Sequence, residues 1–447
     1  MAEAGSAMEM VPRGSSVSAA SVMSRPLVHG ISYWMAGVFI TGEIAGSGML
    51  ALPYSVAQTG WVGVPLIFVL GVVSAYCGLC LSRSWLIIES RYPELHGRCA
   101  EPYPEIAFHA AGKPGKVLAA VCMSINTFGA CIVYVLIVAQ LLENLLCPSP
   151  SDCAVDLSYC IWVLVIAAIL VPVSWLGSPK DFWWIGILAL GTTSLAWLFC
   201  MIQLSSNFAE LSADATFHSP EFLPFFLGVG PILFSFGGAS TFPTIQNDMQ
   251  HRDMFGRSVI LGFIGLITMY LPIAAVGYFA VGDDVASSIL DTLKDKTPGP
   301  LSNGAEILFI IHLVTAFSVV INPFLQQMEV VAKVPPAFGI RRCLFRTLLM
   351  GVLVLLGELI PDFVKILDLL GSTTIALMTF ILPPFFYLRL CAMEDPDGKW
   401  KTIPIPLWER VLLYELIVVG FAGGIASAIS SVQSIIDEGL ETSCLIG

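Results

Sequence analysis

Thr41-Gly42-Glu43-Ile44-Ala45-Gly46-Ser47-Gly48-Met49-Leu50-Ala51-Leu52-Pro53 lies inside a hydrophobic run from Ile31 to Val56. That run is long enough to cross a bilayer. A plain anchor has no use for three glycines and a carboxylate at membrane depth. Glycine weakens a helix, and a lone charge in lipid is costly. Backbone freed from a helix there must be buried in protein or line a wet cavity. The stretch predicts a helix broken at a site, against the simpler reading of glycines used for close helix packing.

A second stretch, Phe234-Ser235-Phe236-Gly237-Gly238-Ala239-Ser240-Thr241-Phe242-Pro243, also interrupts an apolar run. In both, a glycine (Gly48, Gly238) precedes a proline (Pro53, Pro243) by the same spacing. Paired interrupted segments in corresponding halves of a chain point to the binding site of a secondary transporter.

Working outward, 56% of the 447 residues are hydrophobic, mean hydropathy is +0.82, and 12% are charged. Ordinary soluble domains carry roughly 25% charge. The chain is therefore an all-α polytopic membrane protein. Apolar runs of this length also exclude a β-barrel, which shows short alternating strands. The net charge of −12 does not mark a nucleic-acid partner, because no basic stripe accompanies it. Most of the twelve cysteines sit in apolar runs as small core residues. Cys147 and Cys153 flank the loop 148–152, with Cys160 close by. A disulfide there is open if that loop lies outside the cytosol. No metal-ligand spacing and no cofactor motif occurs.

Eleven spans are expected, at roughly 31–56, 61–88, 117–146, 159–176, 182–204, 222–249, 258–281, 305–332, 345–359, 363–388 and 407–432, the ninth being the shortest. Lys and Arg fix the orientation. With the N-terminus in the cytosol, 18 of the 21 basic residues fall on the cytosolic side; Lys294, Lys296 and Lys365 alone fall outside. Residues 1–29 then form a cytosolic tail, 30–433 an eleven-helix domain, and 434–447 a short non-cytosolic tail. Spans 1 and 6 run in opposite directions, five spans apart. That is the pattern of a five-plus-five inverted repeat with an eleventh helix. Half-helix ends at the breaks offer N–H groups to a carboxylate and carbonyls to a cation. A zwitterionic amino acid presents both.

Four patterns on their expected spans resemble the amino acid/auxin permease family, of the amino acid–polyamine–organocation superfamily. They are Gly46-Ser47-Gly48-Met49-Leu50-Ala51-Leu52-Pro53 on span 1 and Phe234-Ser235-Phe236-Gly237 with Pro243-Thr244-Ile245-Gln246-Asn247-Asp248-Met249 on span 6. Gly277-Tyr278-Phe279-Ala280-Val281-Gly282-Asp283-Asp284 follows span 7. Span 10 carries Asp368-Leu369-Leu370-Gly371-Ser372-Thr373 and Leu382-Pro383-Pro384-Phe385-Phe386-Tyr387-Leu388. The resemblance covers residues 29–432. It implies the fold of the bacterial leucine transporter and movement of amino acids by alternating access. The chain departs from many members in having Gly42-Glu43 where they carry a polar amide. It also has Gly238-Ala239 where they carry a larger polar residue, often His.

Ile44, Ala45, Gly46, Ser47 and Gly48 are the expected substrate cradle. The resemblance makes Phe234, Ser235, Phe236 and Gly237 the opposing wall, with Phe236 a gate over the substrate; the plainer reading of the phenylalanines is core packing. Asn126, on span 3, is a substrate contact or an interhelical hydrogen bond. Glu43 is the coupling carboxylate, since desolvation favours a protonated carboxylate; the plainer reading is a wetted cap of the half-helix. The resemblance offers Thr315 and Ser318 as a sodium-type site with span-1 carbonyls, although hydroxyls on helices commonly bond their own backbone. His312 nearby is read as a titrating group or, more plainly, as a satisfied polar residue. Lys365 and Asp368 are read as an outer-vestibule structural or gating pair. The expected function is symport of small neutral amino acids, with H+ favoured over Na+ as the coupling ion. The rival is a membrane amino-acid sensor with little flux. An intramembrane enzyme would need a nucleophile–base pair or metal set, and none is evident. The expected surroundings are the lipid bilayer of the plasma membrane or of a lysosomal or vesicular membrane.

Overall fold

The computed structural model describes residues 30–95, 99, 101–147, 153, 155, 157–175, 183–335, 337–395, 398, 400–438 and 444. The tail 1–29, Arg98, Asp152, Asp156, Lys180, Lys399 and most of the C-terminal tail lie outside the described residues.

Helices occupy the expected order. Span 1 is two pieces, Tyr33–Ile44 and Ser47–Thr59; span 2 is Gly63–Arg91, span 3 Pro102–Leu146, span 4 Tyr159–Trp175 and span 5 Trp183–Ser206. Span 6 is again two pieces, Phe222–Ser235 and Phe242–Asn247, followed by span 7, Phe255–Val281. Span 8 is Pro300–Val331, span 9 Ile340–Leu359, span 10 Phe363–Ala392 and span 11 Leu407–Glu438. Among the described residues, seven helical stretches are long and apolar enough to cross a membrane, and Tyr159–Trp175 and Phe222–Ser235 are shorter apolar helices.

Spans 1 and 6 lie side by side and antiparallel, with both pairs of ends in contact. At one end, Ile31 N donates to Asp248 O and Gln250 N to Ile31 O, each at 3.0 Å. At the other, a Cβ on Gly60 would come within 3.0 Å of Pro220, and one on Gly228 within 2.6 Å of Ser55 O. Opposed, equally broken helices are the structural form of an inverted repeat.

Three elements differ from the sequence expectation. Residues 102–111, expected in a cytosolic connection, form a helical prelude to span 3. Pro102 starts it, and Gly112 ends it with a φ of 69°, a left-handed turn suited to glycine. Tyr103 in this prelude is buried and donates to Met378 O at 2.7 Å. Span 9 starts five residues before the apolar run does, and span 4 is shorter than it. The first turns of span 9 carry Arg342 and the fully buried Arg346, which both pair with Glu329 of span 8. Hydropathy counts such arginines as loop, whereas a partner makes their burial tolerable. In the outer connection after span 7, Ile289–Lys296 is a helix. Ser288 caps it and Ile289, Leu290 and Leu293 point inward.

Span 10 is wound as a π-helix from Gly371 to Ile381, where Leu382 N reaches back to Leu377 O. Disulfides join Cys147 to Cys153 and Cys160 to Cys444. The second ties the end of the chain to the start of span 4.

Candidate functional site

The two breaks face each other in the middle of the bundle. In span 1 the first piece closes with Ala45 N on Thr41 O at 2.8 Å, and the second opens with Met49 N on Gly46 O at 3.1 Å. In span 6 the chain turns from Phe236 to Thr241, with Gly237 N on Phe234 O at 2.8 Å and Thr241 N on Gly238 O at 3.1 Å. The glycines also serve packing. A Cβ on Gly48 would lie 2.6 Å from Ser235 Oγ, one on Gly238 2.6 Å from the Ile44 side chain, and one on Gly237 2.5 Å from Ile375. Broken helix and close approach, posed as alternatives by the sequence, occur together here.

Tyr270 of span 7 joins the two breaks. Its buried hydroxyl lies 2.9 Å from Ile44 O and 2.9 Å from Ser235 O, one from each break. A buried tyrosine needs a partner for its hydroxyl, and Tyr270 finds one in each break. Phe236 is fully buried, packed near Phe263 and Tyr270. Ser235 is buried and donates to Pro231 O at 2.8 Å. Phe234 is half-buried, and Ala45, Ser47 and Gly48 are buried.

Glu43 reaches across from span 1 to span 6, where its Oε2 accepts from Thr241 Oγ1 at 2.8 Å. The same Thr241 hydroxyl lies 2.8 Å from Gly238 O, so its proton is shared between a carboxylate and a turn carbonyl. The Glu43 side chain keeps accessible surface.

On span 8, Thr315 Oγ1 donates to Ile311 O at 2.7 Å and Ser318 Oγ to Val314 O at 3.1 Å. Both hydroxyls are bonded to their own helix. The span-8 side chain beside Gly46 is His312: a Cβ on Gly46 would lie 3.3 Å from its Nε2. Its Nδ1 meets Thr193 Oγ1 of span 5 at 3.0 Å. Asn126 of span 3 is half-buried, its Oδ1 3.4 Å from Thr374 Oγ1 of span 10.

Polar locks flank the breaks. Toward the outer helix, Gln140 and Asn144 of span 3 each donate to Asp291 at 2.6 Å, and Lys294 lies 3.6 Å from the buried Glu306. Past the short half of span 6, Arg252 pairs with buried Glu89 of span 2 and donates to Asn247 O at 2.8 Å. Gln246 donates to Arg252 O at 3.1 Å. Asp368 is not in a vestibule as expected. It is buried in span 10 against Gly230 of span 6, its Oδ1 accepting from Ser427 of span 11 at 3.2 Å.

The profile of a family described as "Transmembrane amino acid transporter protein" matches residues 29–430. "Amino acid transporter AVT3B" of Arabidopsis thaliana is 25% identical over 426 residues, covering 90% of this chain and 93% of that protein. "Lysine histidine transporter-like 3" of the same plant is 24% identical over 413 residues, 87% of each. Among solved structures, MhsT in complex with L-phenylalanine superposes with a TM-score of 0.54 at 13% identity, over 90% of this chain and 99% of that one. A manganese transporter of Eremococcus coleocola gives 0.56 at 12% identity, over 96% and 90%. Those two likenesses show the fold.

Proposed function

Because this chain belongs to the transmembrane amino acid transporter family, we propose that it carries small neutral amino acids across a membrane by alternating access, coupled to protons. The observation that carries this reading is the Glu43–Thr241 hydrogen bond across two facing helix breaks. It puts an ionisable group at the meeting point of two elements that must move relative to each other.

Ile44, Ala45, Gly46, Ser47 and Gly48 form one side of the substrate site and Phe234, Ser235, Phe236 and Gly237 the other. The N–H groups opening the second half of span 1 suit the substrate carboxylate; carbonyls at the end of the first half suit its ammonium. Side-chain size is limited because Ile44, Ser235 and Ile375 fill the space left by Gly238, Gly48 and Gly237. Three observations favour the proton. Tyr270 already engages a carbonyl from each break, Thr315 and Ser318 are bonded to their own backbone, and Glu43, bonded to Thr241, keeps accessible surface for proton exchange. Substrate and proton move the equilibrium only through their different affinities for the two states.

We place the N-terminus in the cytosol and the C-terminus outside it, as the basic residues require. The test is uptake of a labelled panel of the twenty amino acids into proteoliposomes, with pH and sodium gradients imposed separately. Accumulation of alanine-sized substrates that collapses with the pH gradient supports the reading. Accumulation that follows sodium alone replaces the proton, and ligand stabilisation without any flux would favour a sensor.

A further inference from the structure

His312, beside the break in span 1, plays no part in the transport reading above. Its side chain is 4% exposed. On one edge Nδ1 lies 3.0 Å from Thr193 Oγ1, with the Ala189 backbone, one helical turn away on span 5, as a further partner. The other edge, Nε2, faces the unwound backbone at Gly46. A side chain at position 46 would press on the ring, so glycine there gives the imidazole its place beside the break.

We propose that His312 is a second proton-binding group of the transport cycle, taking up a proton at Nε2 against the break in span 1. The proposal rests on the transport reading above. With Nδ1–H held by span 5, the neutral ring presents a lone pair to the break. Protonation turns Nε2 into a donor and adds a positive charge beside the carbonyl end of the first half-helix, where cations are favoured. The proton enters from water on one face and leaves to water on the other; no other group is consumed. Glu43 joins span 1 to span 6, whereas His312 joins it to spans 5 and 8. The two groups therefore read opposite sides of one moving element.

The ionisable surroundings are sparse. Span 1 contributes Glu43, three residues before Gly46. Span 3 contributes Tyr134 and Cys131, span 5 Cys200, and span 7 Tyr270. On span 8 itself Glu306 lies six residues earlier, engaged with Lys294 of the outer helix, which also carries Asp291. No carboxylate or ammonium touches the ring among the described residues.

The test compares wild type with His312→Gln in proteoliposomes, using a labelled mixture of the twenty amino acids. The expected result is a tenfold or greater loss of pH-driven accumulation with counterflow exchange retained. Unchanged pH-driven accumulation overturns the proposal. Should His312→Gln fail to fold, Thr193→Val serves instead: its pH profile shifts while that of Thr193→Ser does not, and two wild-type profiles count against the proposal. 15N-histidine NMR of the full chain supplies an independent readout. The resonance missing from His312→Gln, or displaced in Thr193→Val, is expected to titrate between about pH 4 and 8; one that stays neutral throughout overturns the assignment. If wild type shows neither accumulation nor counterflow, the transport reading fails, and the NMR titration decides His312 alone.

Discussion

Glu43 and Gly48 do different work within the same thirteen-residue stretch, and substitutions separate them. In Glu43→Gln the amide oxygen still accepts from Thr241 Oγ1, so the 2.8 Å bridge survives while ionisation is lost. Counterflow of substrate should persist, whereas accumulation driven by a pH gradient should drop roughly tenfold or more, ~1.4 kcal/mol of coupling. An unchanged pH dependence of uptake would remove Glu43 from the mechanism. Gly48 is a packing position. A Cβ there meets Ser235 Oγ at 2.6 Å and Ser235 Cα at 2.8 Å, and the backbone atom cannot rotate away. Gly48→Ala should cost about 1–3 kcal/mol of stability through overpacking, read as a lower Tm in detergent. Gly191→Ala is the control, since nothing lies within 4 Å of its Cβ position; it should leave Tm unchanged or slightly raised. Equal effects of the two alanines would refute the packing argument. Glycine spacing announced both roles in the sequence. What it did not announce was Tyr270, because a hydroxyl's partners 226 and 35 residues away in the chain leave no local pattern.

At the scale of elements, the outer helix Ile289–Lys296 is held to span 3 by a titratable latch. Burial raises the Asp291 carboxyl to about 6, against the opposing effect of hydrogen bonds from Asn144 and Gln140. The value when the helix is undocked is the ordinary one, 3.8. A group whose docked pKa is raised favours docking while protonated. Its contribution is complete below about pH 4 and is lost as pH rises through about 6. An acidic outer side therefore tightens the latch, and a neutral one loosens it. Hydrogen exchange of the segment 289–296 should be slower at pH 5 than at pH 7.5 once corrected for intrinsic rates. Asp291→Asn should abolish that difference, and a persisting difference would assign it elsewhere. In the sequence this segment falls in the connection between spans 7 and 8. Its helix is eight residues long with Lys and Asp on one face, below the length at which periodicity is readable. Spans whose apolar runs end in Gly, Pro or basic residues were readable to within a few residues. Span 9 and the prelude to span 3 were not, because their arginine and tyrosine are made compatible with burial by Glu329 and Met378, which belong to other helices.

Over the whole molecule, charge and covalent chemistry make one joint statement about sidedness. The basic residues assign the span 3–4 connection and the C-terminus to the same non-cytosolic side. On that proposed orientation both disulfides fall on the non-cytosolic side, Cys147–Cys153 within the connection and Cys160–Cys444 between the start of span 4 and the C-terminal tail. Structural disulfides persist in oxidising compartments and are rare in the cytosol. Charge bias and bridge location are separate observations, so their agreement is informative. Two free cysteines provide the opposite marker. Cys99 precedes the prelude to span 3 and Cys343 lies near the start of span 9, both half-buried and both on the side assigned to the cytosol. Sealed right-side-out vesicles or intact organelles can be treated on each face with an impermeant reductant and then an impermeant maleimide. Mass spectrometry should find Cys147, Cys153, Cys160 and Cys444 labelled from the non-cytosolic face, and only after reduction. Cys99 and Cys343 should be labelled from the cytosolic face without reduction. The reverse pattern would invert the molecule and with it the direction in which Glu43 meets the acidic compartment. Reduction should also lower Tm by several degrees, since opening Cys160–Cys444 frees a closure spanning 284 residues, and a native disulfide contributes about 2–4 kcal/mol.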